Sequence, residues 1–138
     1  MVRKFLVIVT LQISLLFSSL TFATQDNLIN WQSYSMTAIK NSSFQYVLIY
    51  FQSDWCHWCK QMNTNYNDPS LAQLIKKNFL PIKINVDKEQ SIVRMYKVIE
   101  LPTIIIINKN NQVMATLNGF IDKDQLITNL STLLTNQH

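Results

Sequence analysis

Apolar side chains occur along this chain in blocks that follow two different periods. Tyr46-Val47-Leu48-Ile49-Tyr50-Phe51 is an unbroken apolar run, the pattern of a strand covered on both faces. Thr103-Ile104-Ile105-Ile106-Ile107 is a second run, and its β-branched side chains favour extended backbone. From Phe79 to Val86 the pattern alternates. Leu80, Ile82, Ile84 and Val86 fall on one side, Pro81, Lys83 and Asn85 on the other, which predicts a strand with Pro81 near its start. Asn108-Lys109-Asn110-Asn111 reads as a turn, and Gln112 to Leu117 as the hairpin partner of the Ile-rich strand.

Between these strands the spacing becomes helical. Trp31 to Lys40 places Trp31, Tyr34, Ala38 and Ile39 near one face. Cys56 to Met62 lacks β-branched residues and suits a helix, with a break expected over Asn63–Asn67. Asp68-Pro69 pairs an N-cap residue with proline at the first helical position, and opens a helix with Leu71, Leu74 and Ile75 inward. Asp87 to Val98 carries Ile92, Val93 and Tyr96 on one face, and Leu101-Pro102 separates this segment from the Ile-rich strand. Asp122 with Gln125 resembles a capping box. It opens a last helix along Leu126, Ile127, Leu130, Leu133 and Leu134. The order α-β-α-β-α-β-β-α predicts an α/β fold with a central mixed sheet flanked by helices on both faces.

The first residues follow a different logic. Arg3 and Lys4 precede a mostly apolar stretch, Phe5 to Leu20, and Thr21-Phe22-Ala23 offers small residues at a cleavage site. This is the secretory pattern, so residues 1–23 are expected to be a signal peptide cleaved after Ala23, leaving a single domain over 24–138. The rival is an uncleaved anchor, but Thr10, Gln12, Ser14, Ser18 and Ser19 make the run a poor spanning helix. No cysteine follows the run, so lipid anchoring is not expected. The expected location is periplasmic or secreted.

Charge then reads differently. The 138-residue chain carries +4, from 12 Lys+Arg and 8 Asp+Glu. Losing Arg3 and Lys4 leaves +2. Lys76-Lys77 is the one adjacent basic pair beyond the leader and reads as a solvated helix face, so no nucleic-acid partner is expected. Hydrophobic residues are 48% of the chain, ample for a core without staples.

The candidate chemistry lies in Ser53-Asp54-Trp55-Cys56-His57-Trp58-Cys59-Lys60, which holds both cysteines of the chain. Three residues apart on a helical turn, their Cα atoms would lie ~5–6 Å apart, within disulfide range. The pair can therefore be dithiol or disulfide without large backbone movement. At a helix start, unpaired N–H groups and the helix dipole favour the Cys56 thiolate, the nucleophile. Cys59, one turn inward, suits resolution of a mixed disulfide.

Other uses of the pair compete. Zinc needs about four ligands, and the two histidines are His57 and the terminal His138, so no metal is expected. Covalent haem attachment needs His where Lys60 stands, and no other cofactor is indicated. A purely structural disulfide would close a tiny loop and constrain the unfolded chain little. Leu101-Pro102-Thr103 adds a second element, since an X-Pro bond opening a strand can be cis or trans.

Together these features resemble the thioredoxin superfamily from about Tyr46 to Leu134. The resemblance rests on "LIYFQSDWCHWCK", "PIKINVD", "LPTIIII" and "LNGFIDKDQL". It looks closest to the C-terminal periplasmic domain of the bacterial transmembrane thiol:disulfide interchange reductase, and to small secreted thioredoxin-like proteins. The resemblance implies a thioredoxin fold, a Cys56–Cys59 redox disulfide with Cys56 as nucleophile and Cys59 as resolving cysteine, a cis Pro102 against the disulfide, Trp55 flanking the site, and Lys83 near the buried cysteine. It implies protein disulfides as substrates and a membrane thiol reductase as electron donor. Two departures stand out. Tyr50 occupies the place of the family's buried Asp, and His57-Trp58 replaces the usual Gly-Pro. His57 can take over proton handling or act only electrostatically; Trp58 can contact substrate or simply cover the helix start.

The expected function is that of a thiol–disulfide oxidoreductase, more a reductant than an oxidant, because the spacing leaves no room for the helical insertion of strong periplasmic oxidants. The alternative is a non-catalytic thioredoxin-fold module for apocytochrome or copper-site maturation. Isomerisation is a weaker third reading. Nothing specifies an oligomer, and a monomer is expected.

Overall fold

The computed structural model describes residues 28–136. The expected signal peptide, its cleavage site at Ala23 and His138 lie outside the described residues. Within them the elements run as α1 (Met36–Asn41), β1 (Tyr46–Gln52), α2 (His57–Asn65), α3 (Pro69–Asn78), β2 (Phe79–Asn85), α4 (Gln90–Met95), β3 (Thr103–Asn108), β4 (Val113–Asn118) and α5 (Lys123–Thr135). The sheet order is β2-β1-β3-β4. β1 runs parallel to β2, with Ile49 opposite Ile82, and antiparallel to β3, with Ile49 opposite Ile105.

The unbroken apolar run of β1 is explained by its place in the middle. Tyr46, Leu48 and Tyr50 face one core, with Ile104 and Ile106 of β3, Met62 of α2, Leu71 and Ile75 of α3, and Leu126 and Leu130 of α5. Val47, Ile49 and Phe51 face the other, with Ile82, Ile84, Ile105 and Ile107, under Ile39 of α1 and Ile92 and Val93 of α4. Side chains alternate across a strand, so both faces must be apolar when both are covered.

Helix ends are set by the residues the sequence singled out. The Asp68 carboxylate accepts from Ser70 N–H at 2.9 Å and Leu71 N–H at 3.1 Å, with Pro69 at the first helical position. The Asp122 carboxylate accepts from Gln125 N–H at 3.0 Å.

The structure corrects three expectations. Trp31 to Lys40 is not one helix. Gln32 pairs in parallel with Ile82, its N–H donating to Pro81 O at 2.9 Å and its carbonyl accepting from Lys83 N–H at 3.2 Å. This covers the outer edge of β2, and α1 begins only after Ser35 caps it. Sheet pairing there outcompetes helical periodicity. The break over Asn63–Asn67 comes later, because α2 continues to Asn65. Met62 and Tyr66 are buried, and Asn65 Nδ2 donates to Ile121 O at 2.8 Å, so tertiary contacts hold the weak helix formers. The Asp87 to Val98 helix shrinks to α4. Asn85 O accepts from the N–H groups of Lys88 and Glu89 in a turn before it. Beyond it, Lys97 at φ 54 ends the helix left-handed, and Val98 N–H closes back on Val93 O at 3.1 Å.

Candidate active site

β1 delivers the chain to Ser53, whose carbonyl accepts from Cys56 N–H at 3.4 Å. Cys56 has extended backbone and is the N-cap of α2; its Sγ accepts from Cys59 N–H at 3.1 Å. A sulfur thus takes the role usually filled by a Ser or Asp oxygen, satisfying one of the orphan N–H groups of the first turn. Cys56 and Cys59 are joined as a disulfide with Cα atoms 5.2 Å apart. Cys56 is 5% exposed and Cys59 0%, so both are buried, but Cys56 lines the groove and Cys59 does not.

Pro102 is buried at the start of β3, and the Leu101–Pro102 bond is cis. Its carbonyl accepts from Gly119 N–H at 2.8 Å. Gly119 sits at φ 77, a left-handed conformation that suits the one glycine of the chain. Thr103 Oγ1 donates to Glu100 O at 2.9 Å and bonds Asn118 Oδ1 at 3.2 Å, tying the proline turn to both strands of the hairpin.

Tyr50, at the place where the resemblance implies an acid, is a hydrogen-bond donor. Its hydroxyl donates to Cys59 O at 3.2 Å, and burial pushes the phenol well above its ordinary value, so it stays neutral. The ring lies against Trp31 and Tyr66, with centroids 5.8 and 5.0 Å away. Lys83 Nζ sits 4.9 Å from the Trp31 ring and 5.6 Å from the Tyr50 ring. Burial lowers the Lys83 pKa, and the ring faces offset part of the desolvation. Lys83 therefore meets the aromatic pair, and it is Tyr50 that touches the peptide of Cys59.

His57 and Trp58 face outward. His57 Nε2 lies 3.3 Å from Gln61 Nε2, and its ring meets Trp58 edge-on at 5.5 Å. Trp58 is 53% exposed and rests on Phe120 at 5.7 Å. Trp55 is 69% exposed, with its indole N–H donating to Asp87 Oδ2 at 3.0 Å. Beside Cys56 these rings join Val86, Val93, Val98, Ile99 and Leu101 around a groove of about 420 Å³.

Trp55, Cys56, His57, Trp58 and Leu101 thus line one groove, with Cys59 bonded to Cys56, Pro102 following Leu101, Tyr50 holding the Cys59 carbonyl and Lys83 over the rings of Trp31 and Tyr50. Sequence reasoning missed Ile99, Glu100, Phe120 and Asp87. Ile99 and Phe120 carry a readable signal, being apolar residues outside every periodic face. Asp87 has none, because its partner Trp55 is 32 residues away. Among the described residues no three His, Cys, Asp or Glu side chains gather at one point.

The thioredoxin family model matches residues 28–132. The chain is 31% identical over 81 residues to thioredoxin 2 of Plasmodium falciparum, an alignment covering 59% of this chain and 50% of that protein. The chain therefore spans about half the length of that relative. To the thioredoxin of Haemophilus influenzae it is 34% identical over 82 residues, covering 58% of this chain and 72% of that one. The solution structure of a thioredoxin from Thermus thermophilus aligns with a TM-score of 0.67 at 24% identity, over 77% of this chain and 87% of that chain, a likeness of fold.

Proposed function

The chain belongs to the thioredoxin family, and we propose that it is a periplasmic or secreted thiol–disulfide oxidoreductase that reduces protein disulfides. The observation that carries the reading is the Cys59 N–H donating to Cys56 Sγ at the start of α2, beside an exposed apolar groove. A donor that supports a neutral sulfur supports a thiolate more strongly, so the cap favours the nucleophilic form of Cys56.

In the reduced protein the Cys56 thiolate attacks one sulfur of a substrate disulfide. A mixed disulfide forms, and the other substrate sulfur leaves as a thiolate that takes a proton from water. Cys59 gives up its proton to solvent, and its thiolate then attacks Cys56 Sγ. The Cys56–Cys59 bond forms, the second substrate sulfur leaves, and two electrons have passed to the substrate. Re-reduction needs a thiol donor, for which a membrane thiol reductase is the class that fits the proposed location. That location rests on the leader pattern of residues 1–23.

The direction rests on architecture. Between β2 and β3 the chain has only α4 and its turns, without the helical insertion of strong periplasmic oxidants. The test is turnover of a model protein disulfide together with a reduction potential. A potential nearer ~−270 mV than ~−120 mV is expected. A value at the oxidising end reverses the direction, and absence of turnover with stoichiometric Cu(I) binding favours a non-catalytic assembly module.

A further inference from the structure

The groove beside the disulfide combines an apolar wall with one fixed charge. Trp55 at 69% exposure and Ile99 at 92% stand open to solvent next to Cys56, an arrangement that suits burial under a bound partner. Apart from the reacting Cys56 and the imidazole of His57, Glu100 is the one acidic or basic side chain among the residues lining the groove. The Glu100 carboxylate makes no ion pair among the described residues, where both ion pairs belong to Lys123. Its peptide is held from behind by Thr103 Oγ1, so the carboxylate springs from a fixed point. Asp87 stands behind Trp55, and Asp54 is exposed beside it, adding the same sign. The opposing charges nearby in sequence, Lys60, Lys88, Arg94 and Lys97, are exposed and line no part of the groove.

From this complementarity we infer that Glu100 is a specificity residue. The groove receives an extended, cysteine-bearing segment of a substrate protein with an apolar side chain against Ile99 and Trp55 and a Lys or Arg close to its cysteine. The inference rests on the oxidoreductase reading and names its substrate class. A docked segment removes water from the carboxylate. An acidic neighbour then meets repulsion, whereas a basic one gains a charge-assisted hydrogen bond, bidentate in the case of Arg. Pairs at a rim are modest, so the preference expected is about threefold rather than orders of magnitude.

The experiment uses two peptides identical except for Lys or Glu beside the cysteine. Each is offered as a mixed disulfide for kcat/KM, and as the S-methylated form for binding monitored by tryptophan fluorescence. The wild-type protein is expected to favour the Lys peptide about threefold in both assays, with the preference shrinking as salt rises. Glu100→Gln should erase the preference and Glu100→Lys should reverse it. Equal handling of the two peptides by the wild-type protein, or a preference that survives Glu100→Gln, overturns the inference. A binding preference without turnover upholds the inference about the groove and sinks the oxidoreductase reading instead.

Discussion

The Tyr50 hydroxyl donates to the carbonyl of Cys59 across 3.2 Å inside the core. The strand that leads into the site is thereby tied to the peptide of its buried cysteine by a group that stays neutral. Tyr50→Phe removes this bond while keeping the ring between Trp31 and Tyr66. A loss of about 1 kcal/mol in chemical denaturation is expected, with disulfide exchange retained. Tyr50→Asp should introduce an additional titration into the pH profile of exchange. An unchanged profile in the Asp variant would show that residue 50 is uncoupled from Cys59.

Two buried phenols, Tyr50 and Tyr66, and the half-buried Tyr96 are expected to govern alkaline stability. Tyr50, Tyr66 and Tyr96 all have pKa values raised above the ordinary 10.0, chiefly by desolvation. A raised folded pKa means that the unfolded chain ionises first. The stabilisation is therefore complete below pH 10 and is lost as pH climbs beyond it. Lys83, lowered by burial, acts with the opposite sign just below 10.5, where deprotonation relieves its desolvation. Urea midpoints should hold up to about pH 10 and then fall, and Tyr66→Phe should fall less steeply.

Gly119 has no atom within 4 Å of a built Cβ, so the constraint on this position is its φ of 77 rather than space. Gly119→Ala should cost about 1 kcal/mol or slightly more, seen as a lower melting temperature. A neutral result would mean the turn can change its conformation without disturbing the Gly119–Pro102 bond.

The unequal placement of the two cysteines, with Cys56 alone lining the groove, orders their roles. Cys59→Ala, which leaves the groove-lining Cys56 without its partner, should accumulate mixed disulfides with partner proteins in intact cells. Cys56→Ala should accumulate few. Equal trapping by both variants, read on non-reducing gels, would contradict the assignment of Cys56 as nucleophile.

Asp87 holds the indole of Trp55 at the mouth of the groove. Because Asp87 is exposed, Asp87→Ala should leave the melting temperature nearly unchanged while raising KM for a protein disulfide several-fold, within the range of a lost hydrogen bond to a charged group. The fluorescence difference between oxidised and reduced protein should shrink as Trp55 loses its fixed orientation.

Elements with local or periodic causes were legible in the chain alone. The apolar runs of β1 and β3 reported burial on both faces, Asp68-Pro69 and Asp122 announced helix starts, and the spacing of Cys56 and Cys59 admitted a disulfide. Packing settled the rest. Gln32 is extended because the edge of β2 offers it backbone partners. α2 runs to Asn65 because Ile121, distant in sequence, accepts its amide. Glu100, Ile99, Phe120 and Asp87 became parts of the site because loops from separate elements converge at the end of the sheet where Cys56 lies. Helical and strand periods are properties of neighbours along the chain. Convergence of loops depends on packing between residues far apart in it, which no window of sequence contains.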